Sequence, residues 1–589
     1  MAQKIGLAMA FFLLMLTLSA CAPAVGDAVL HMTRPEDGNP QRFHAVEFDV
    51  RSDANVDNPF DPAQMDLQVA YTAPSGAQMS VPAFWYQAYD ASTLQPQGEP
   101  RWKARFTPTE SGEWRAQVIR DGDPVGEALA FTVDESDHLG FVRIDSRNPR
   151  YFAFDSGAPY FPIGLNIGWS NGDVLADYER WFDRLSENGG NVARVWMASW
   201  SFGIEWNDTG LGNYTNRMKQ AWLLDQVFAM AEARGITIML TLINHGAFST
   251  SVNPEWEQNP YNAALGGPCA VPYEFVTNEA AKEMFKRRLR YIAARWGYST
   301  NLLAWEWWNE VNWVGLVDRD LGPWTEEMTA YIQQFDPYDH LVTTSYADGT
   351  RTGIWEIGAL DFAQQHDYTG LNPLDTFPLS YERIARTAGN KPIVFGELGF
   401  SSGDDENLAG LESIQLHNGL WAAPFTGYAS TAMHWWWDNF VDPQDQWRHY
   451  KGISTFLQGE DLALLRPRSG SASPGDVDVL VLGDDDHQLL WVRNRAYDVP
   501  AANDAYNAAI LQAIRSNTTM TSWTYEPDPL TDVQITLTDL PAGEYQVKWF
   551  DPQAAEWLSE ETVTAADGMV TLMMPTISKD MAAKLRRAR

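Results

Sequence analysis

Glu310 closes the stretch WEWWNE, residues 305–310, and Glu397 closes the run PIVFGE, residues 392–397, in the same manner. Each acid follows apolar residues over strand length, so each is expected at the C-terminal end of a strand, where a polar side chain can reach solvent. Two carboxyls so placed can divide a cleavage reaction. One protonates a leaving oxygen, and the other attacks carbon or activates water. Glu306, four residues earlier, reads as a buried acid that needs a partner. Pleating puts Glu306, Trp308 and Glu310 on one side of the strand and Trp305, Trp307 and Asn309 on the other, until the strand ends.

The elements that must position these acids repeat. Between about residues 140 and 455, eight apolar runs near 163, 194, 240, 305, 343, 363, 394 and 433 alternate with amphipathic segments. One such segment places Tyr178, Trp181, Phe182 and Leu185 on one face and stops at Gly189-Gly190. A second, near 217–234, stops at Gly235, and a third, 279–296, carries Ala281, Phe285, Leu289, Ile292 and Trp296 as its stripe. Eight strands alternating with helices are what a (β/α)8 barrel requires. An open doubly wound sheet is the competitor, but no Gly-rich phosphate turn follows the first strand. Period-2 alternation before and after this region predicts two β-sandwiches, at 28–135 and 466–589, with RPRSGSASPGD (466–476) as the connection into the second. The fold class expected is α/β, a (β/α)8 TIM barrel flanked by N-terminal and C-terminal β-sandwiches.

The other strand ends of such a barrel should also be polar, because its active site lies on that face. They carry Arg194, Asn244-His245, Asn309, His366-Asp367-Tyr368 and, on the eighth, His434 with Trp435 to Trp437. Tyr368 follows His366 by two residues and shares its side of an extended chain. Asp367 and Asp438 are the rival carboxylates, and Trp435, Trp436 and Trp437 leave the aromatic position ambiguous. The histidines fall on separate strands without metal-ligand spacing, so neither metal nor cofactor is expected.

Charge and composition narrow the substrate. The formal charge of −35 disfavours nucleic acid and polyanions as partners, while 26 tryptophans favour neutral sugars, whose ring faces stack on indole. Residues 1–21 read as an export signal: Lys4, an apolar run to Leu18, then LSAC. It resembles a lipoprotein signal that leaves Cys21 lipidated; an ordinary secretory cut near Ala20 or Ala24 is the alternative. The expected location is the cell surface, with a lipid anchor as the contact to membrane. Cys269, the other of 2 cysteines, then has no disulfide partner and reads as a loop residue.

With these residues in place, WEWWNEVN and VFGELGF resemble the acid/base and nucleophile strands of clan A glycoside hydrolases, most closely the cellulase and mannanase group of family five. The resemblance covers the middle region and implies Glu310 as acid/base and Glu397 as nucleophile. It implies that Arg194 and Tyr368 bond the nucleophile, Asn309 holds a sugar 2-hydroxyl, His245 and His366 line the subsite, and Trp435 floors it. The family's Asn-Glu-Pro is Asn-Glu-Val here. The N-terminal region resembles an uncharacterised domain found ahead of such barrels. A retaining hydrolase of a neutral β-glucan or β-mannan follows as the expectation, with carboxyls about 5–5.5 Å apart and opposite pKa requirements on the two acids. A glycan-binding lipoprotein without catalysis and a transglycosylase are the competing readings.

Overall fold

The computed structural model describes residues 28–33, 38–52, 56–400, 409–520 and 523–588. The export signal and Cys21 lie outside these residues.

Seven parallel strands organise the middle of the chain. Gly164–Asn166, Val192–Trp196, Thr237–Ile243, Leu302–Trp308 and Leu341–Thr343 form one sheet in chain order, and Ala363–Asp367 pairs with Ile393–Leu398. His434 forms single parallel bridges to both Leu398 and Leu165, so the seventh strand connects back to the first through the position read as the eighth. Across the remaining gap, the Asp361 amide donates to Val342 O at 2.8 Å. The second, third and fourth strands are buried at every position, as strands covered on both faces must be.

The helices between the strands form where the periodicity places them. Helix α1 (Val174–Glu187) buries Tyr178, Trp181, Phe182 and Leu185, the four residues of the expected face, and Asp173 caps it by accepting from the Leu175 and Ala176 amides. Gly189, at φ 75°, ends it, because the reversal of the chain there needs a left-handed residue. Helix α2 (Met218–Glu232) and helix α3 (Glu279–Trp296) follow, the latter capped by Asn278 and buried along its expected stripe. Among the described residues no helix is long and apolar enough to cross a membrane.

Two β-rich regions flank this core. Before it, two four-stranded antiparallel sheets share a core that includes Phe48, Val69, Tyr71, Phe106 and Trp114. Arg105 of this region reaches Asp225 of α2, which Arg295 of α3 also grips, all three largely buried. After it, a six-stranded and a three-stranded antiparallel sheet enclose Val481, Leu490, Ile535, Val547 and Trp549.

Three expectations are corrected. The segment 466–476 is not a free connection: Arg466–Arg468 and Gly470–Ser473 are strands, one in each of the two C-terminal sheets. The small residues that read as a linker permit close packing, since a Cβ on Gly470 would lie 2.7 Å from Val479 Cγ1. The C-terminal region also contains a helix, Val499–Arg515, capped by Asp498, within what reads as an all-β region. Finally, Trp308 does not share a side with Glu306. It packs with Phe248, Phe275 and Trp324, on the side of Trp307, because the alternation breaks at the strand's end.

Candidate active site

At the C-terminal ends of the parallel strands lies a cavity of about 780 Å³. His245, Asn309, Glu310, His366, Tyr368, Glu397 and Trp435 line it, and Arg194 lies just beneath, fully buried. The second strand, apolar around its one cation, delivers Arg194 to the interior.

All five N–H groups of Arg194 are engaged. Nε and Nη2 donate to the two oxygens of Glu306 at 2.7 and 2.8 Å, a bidentate pair. Nη1 donates to Asn166 Oδ1 at 3.1 Å and to Glu397 Oε1 at 2.5 Å, and Nη2 also donates to Asn309 Oδ1 at 2.8 Å. Glu306 is thus the buried acid with its partner found: it also accepts from Thr241 Oγ1 at 2.5 Å and Gln364 Nε2 at 3.1 Å. Burial works against its charge, yet Arg194 and these hydrogen bonds hold its carboxyl below the ordinary value.

Glu397 and Glu310 stand in different company. Glu397, 3% exposed, accepts from Arg194 and, on Oε2, from the Tyr368 hydroxyl at 2.6 Å. Glu310 meets the Trp313 indole N–H at 2.9 Å on Oε2 and His366 Nδ1 at 3.0 Å on Oε1. One donor atom from each of Glu310, His366 and Glu397 can be chosen so that all three lie within 4.8 Å of one another. Such a trio has the spacing to hold an ion, but the positive charge here is already supplied by Arg194 against Glu397.

The expectation of opposite pKa shifts is not met. Burial pushes both Glu310 and Glu397 above the ordinary value; for Glu397 this outweighs the pull of the Arg194 cation, which is shared with Glu306. Partners, not direction of shift, distinguish the two acids. Burial also drives His366 down to about 4, so its imidazole is neutral near pH 7.

Backbone geometry explains how Glu310 turns inward. It sits at φ 45° and ψ 51°, a left-handed conformation rare for a residue with a side chain. Its amide donates to Ser345 Oγ at 3.0 Å, and the Val311 amide donates to Ser345 O at 3.1 Å. Valine in place of the family's proline therefore supplies an N–H that proline lacks.

Asn309 is locked between Arg194 and His245. Its Nδ2 donates to His245 Nδ1 at 2.9 Å, which leaves His245 Nε2 to donate to Asn253 Oδ1 at 3.2 Å. One N–H of Asn309 remains for the cavity. Of the three tryptophans, Trp437 is buried against Trp169 and Trp181, so Trp435 and Trp436 are the two that face the cavity.

The rivals fall away. His434 is buried against Glu412 of the helix Ala409–Thr426 at 2.7 Å. Asp438 is exposed and outside the cavity wall. Asp367 lines the wall but turns its Oδ1 to the Thr369 amide at 2.8 Å. Cys269 is buried, with its thiol pushed up to about 12 by burial, which leaves little nucleophilic thiolate. Reading residues alone misses Trp169, Trp196, Trp200 and Trp313 as walls of the cavity. Trp196 ends the second strand and was detectable by the strand-end rule. Trp313 was not, since it reaches back to Glu310 only through the turn Val311–Val314.

Relatives share this chain's sequence and shape. Residues 39–119 match the family described as a domain of unknown function, DUF5060. A mannan endo-1,4-beta-mannosidase F of Aspergillus fumigatus is 26% identical over 54% of the chain and 76% of its own length. A mannan endo-1,4-beta-mannosidase A of Podospora anserina is 25% identical over 43% of the chain and 72% of its own. A solved structure from Bacteroides vulgatus, assigned to the glycoside hydrolases, superposes with a TM-score of 0.58 at 17% identity, covering 95% of this chain and 99% of that one. By sequence over its middle region the chain is similar to mannan endo-1,4-beta-mannosidases, it shares its fold over nearly its whole length with that Bacteroides vulgatus glycoside hydrolase, and a DUF5060 match lies ahead of its parallel strands.

Proposed function

We propose that the chain is a retaining glycoside hydrolase of a β-mannan-type polysaccharide, built as a (β/α)8 barrel at 140–455 between two β-sandwiches. The observation that carries this reading is the pairing of unlike acids: Glu397 held by Arg194 and Tyr368, and Glu310 facing only a neutral imidazole and an indole N–H, with donor atoms of the two within 4.8 Å. That proximity suits direct attack, whereas an inverting pair stands about 6.5–9.5 Å apart to admit water.

Glu397 attacks the anomeric carbon while Glu310 gives its proton to the departing glycosidic oxygen. A covalent glycosyl-enzyme forms on Glu397. Glu310, now ionised, takes a proton from the water that releases the sugar. Arg194 and Tyr368 aim the Glu397 oxygens, the free N–H of Asn309 meets the 2-hydroxyl, and Trp435 and Trp436 offer the stacking surface. The relatives named above act on mannan by their names, which supports a β-mannan rather than a β-glucan as substrate. Export with Cys21 lipidated would put the enzyme at the cell surface, where such polymers are met.

Reducing-sugar release from a panel of β-mannans and β-glucans tests the assignment. Release from β-mannan is expected, with loss of more than about a thousandfold in Glu397→Ala and a large loss in Glu310→Ala. Binding without turnover across the panel, or wild-type cleavage by both variants, would overturn it.

A further inference from the structure

Gln364 lies on the strand Ala363–Asp367, two residues before His366, and is fully buried. Its Nε2 donates to Glu306 Oε1 at 3.1 Å, to Thr344 O at 3.1 Å and to Thr343 Oγ1 at 3.4 Å. The Thr343 hydroxyl itself donates to Phe362 O at 2.9 Å, so all three partners present lone pairs. The amide therefore has one orientation, and its Oε1 faces the opposite way. That oxygen is buried and accepts no hydrogen bond from the chain, and the same is true of His366 Nε2. Both point at Gly396, where a Cβ would stand 2.2 Å from Gln364 Oε1 and 3.0 Å from His366 Nε2. An obligatory acceptor and a ring nitrogen thus converge on the bare face of a glycine.

We propose that Gln364 is a positioning residue that fixes His366 as its Nε2–H tautomer, so that the lone pair on Nδ1 faces Glu310 and keeps that carboxyl protonated until it donates. A neutral imidazole carries one proton. Placed on Nε2, it is attracted by the Gln364 oxygen; placed on Nδ1, it leaves two lone pairs opposed in a low-dielectric interior. Nδ1 lies 3.0 Å from Glu310 Oε1 and 3.5 Å from Glu397 Oε2. A protonated Glu310 donates to that lone pair, and an ionised one meets it unfavourably. After the proton has passed from Glu310 to the leaving oxygen, the same lone pair makes Glu310 a stronger base toward the incoming water. The charged and titratable groups around His366 are Glu310, Glu306, Glu397, Arg194, His245 and, just past the end of its own strand, Tyr368. The inference rests on the reading of Glu310 as acid/base.

Two measurements test it. In the full chain with 15N-labelled histidine, long-range proton–nitrogen correlations report which ring nitrogen of His366 is protonated, with His366→Asn to assign the signal. Nε2–H is expected in the wild type near neutral pH, and Nδ1–H there would overturn the proposal. This readout needs no substrate, so it stands apart from any failure of the mannanase reading. In Gln364→Met, His366 is free to donate from Nδ1 to Glu310, so the basic limb of kcat/KM should move down by about one pH unit. A folded Gln364→Met with that limb unmoved overturns the proposal; if the variant does not fold, the wild-type tautomer decides alone.

Discussion

Tyr368→Phe isolates one hydrogen bond of the mechanism. The hydroxyl donates to Glu397 Oε2 at 2.6 Å in a part-buried setting at the cavity wall, and phenylalanine keeps the ring that packs against Gly399, where a Cβ would lie 2.8 Å from Tyr368 Cε1. What is lost is a hydrogen bond to a charged group, worth about 1.5–3 kcal/mol. The donor stabilises the ionised form of Glu397 only, so its removal raises the Glu397 pKa. At about 1.36 kcal/mol per unit, the rise is roughly 1–2 units. Glu397 must be ionised to attack, so activity is lost as pH falls through that higher value and the acidic limb of kcat/KM moves up. At the optimum, kcat/KM should fall by roughly 10- to 100-fold. The assay is the pH dependence of kcat/KM on a soluble mannan. An acidic limb that stays in place, or a basic limb that moves instead, would refute the assignment of Tyr368 to Glu397.

Glu306→Gln should lower thermal stability without being a direct loss of a reacting group, since breaking a buried ion pair costs about 3–5 kcal/mol; calorimetry of the variant showing an unchanged melting temperature would contradict the Arg194–Glu306 pairing as a structural anchor. Trp313→Phe removes the indole donor from Glu310 and should raise the basic limb by less than about one unit, because a neutral donor on a side chain 41% exposed contributes about 1 kcal/mol or less. A downward shift in that variant would mean that Trp313 does not stabilise the ionised acid.

The chemistry was more legible in the sequence than the architecture around it. Arg194, His245, Asn309, Glu310, His366, Tyr368, Glu397 and Trp435 all reach one site because the rule that finds them is local: an apolar run ends, and the next polar residues face the mouth. What stayed hidden depends on long-range pairing. That Arg194 serves Glu306 as well as Glu397 is a relation across 112 positions to the first acid and 203 to the second. The strands at Arg466–Arg468 and Gly470–Ser473 have linker composition and are strands because distant partners supply their ladders. Helix Val499–Arg515 carries its own signals, an Asp-Val-Pro start and a run of helix formers, but these are masked by the alternation that dominates the region around it.

The left-handed backbone at Glu310 carries a consequence for how this position would drift. Any residue with a Cβ costs about 1 kcal/mol or more in that conformation, whereas glycine adopts it freely. A chain that kept its sugar-binding surface but had no use for the carboxylate would be stabilised by exchanging Glu310 for glycine, and the exchange would release the fold from a constraint it otherwise bears. Glutamate standing there is a residue maintained against the local preference of its own main chain, and that tension is itself an argument for a working acid over a retired one.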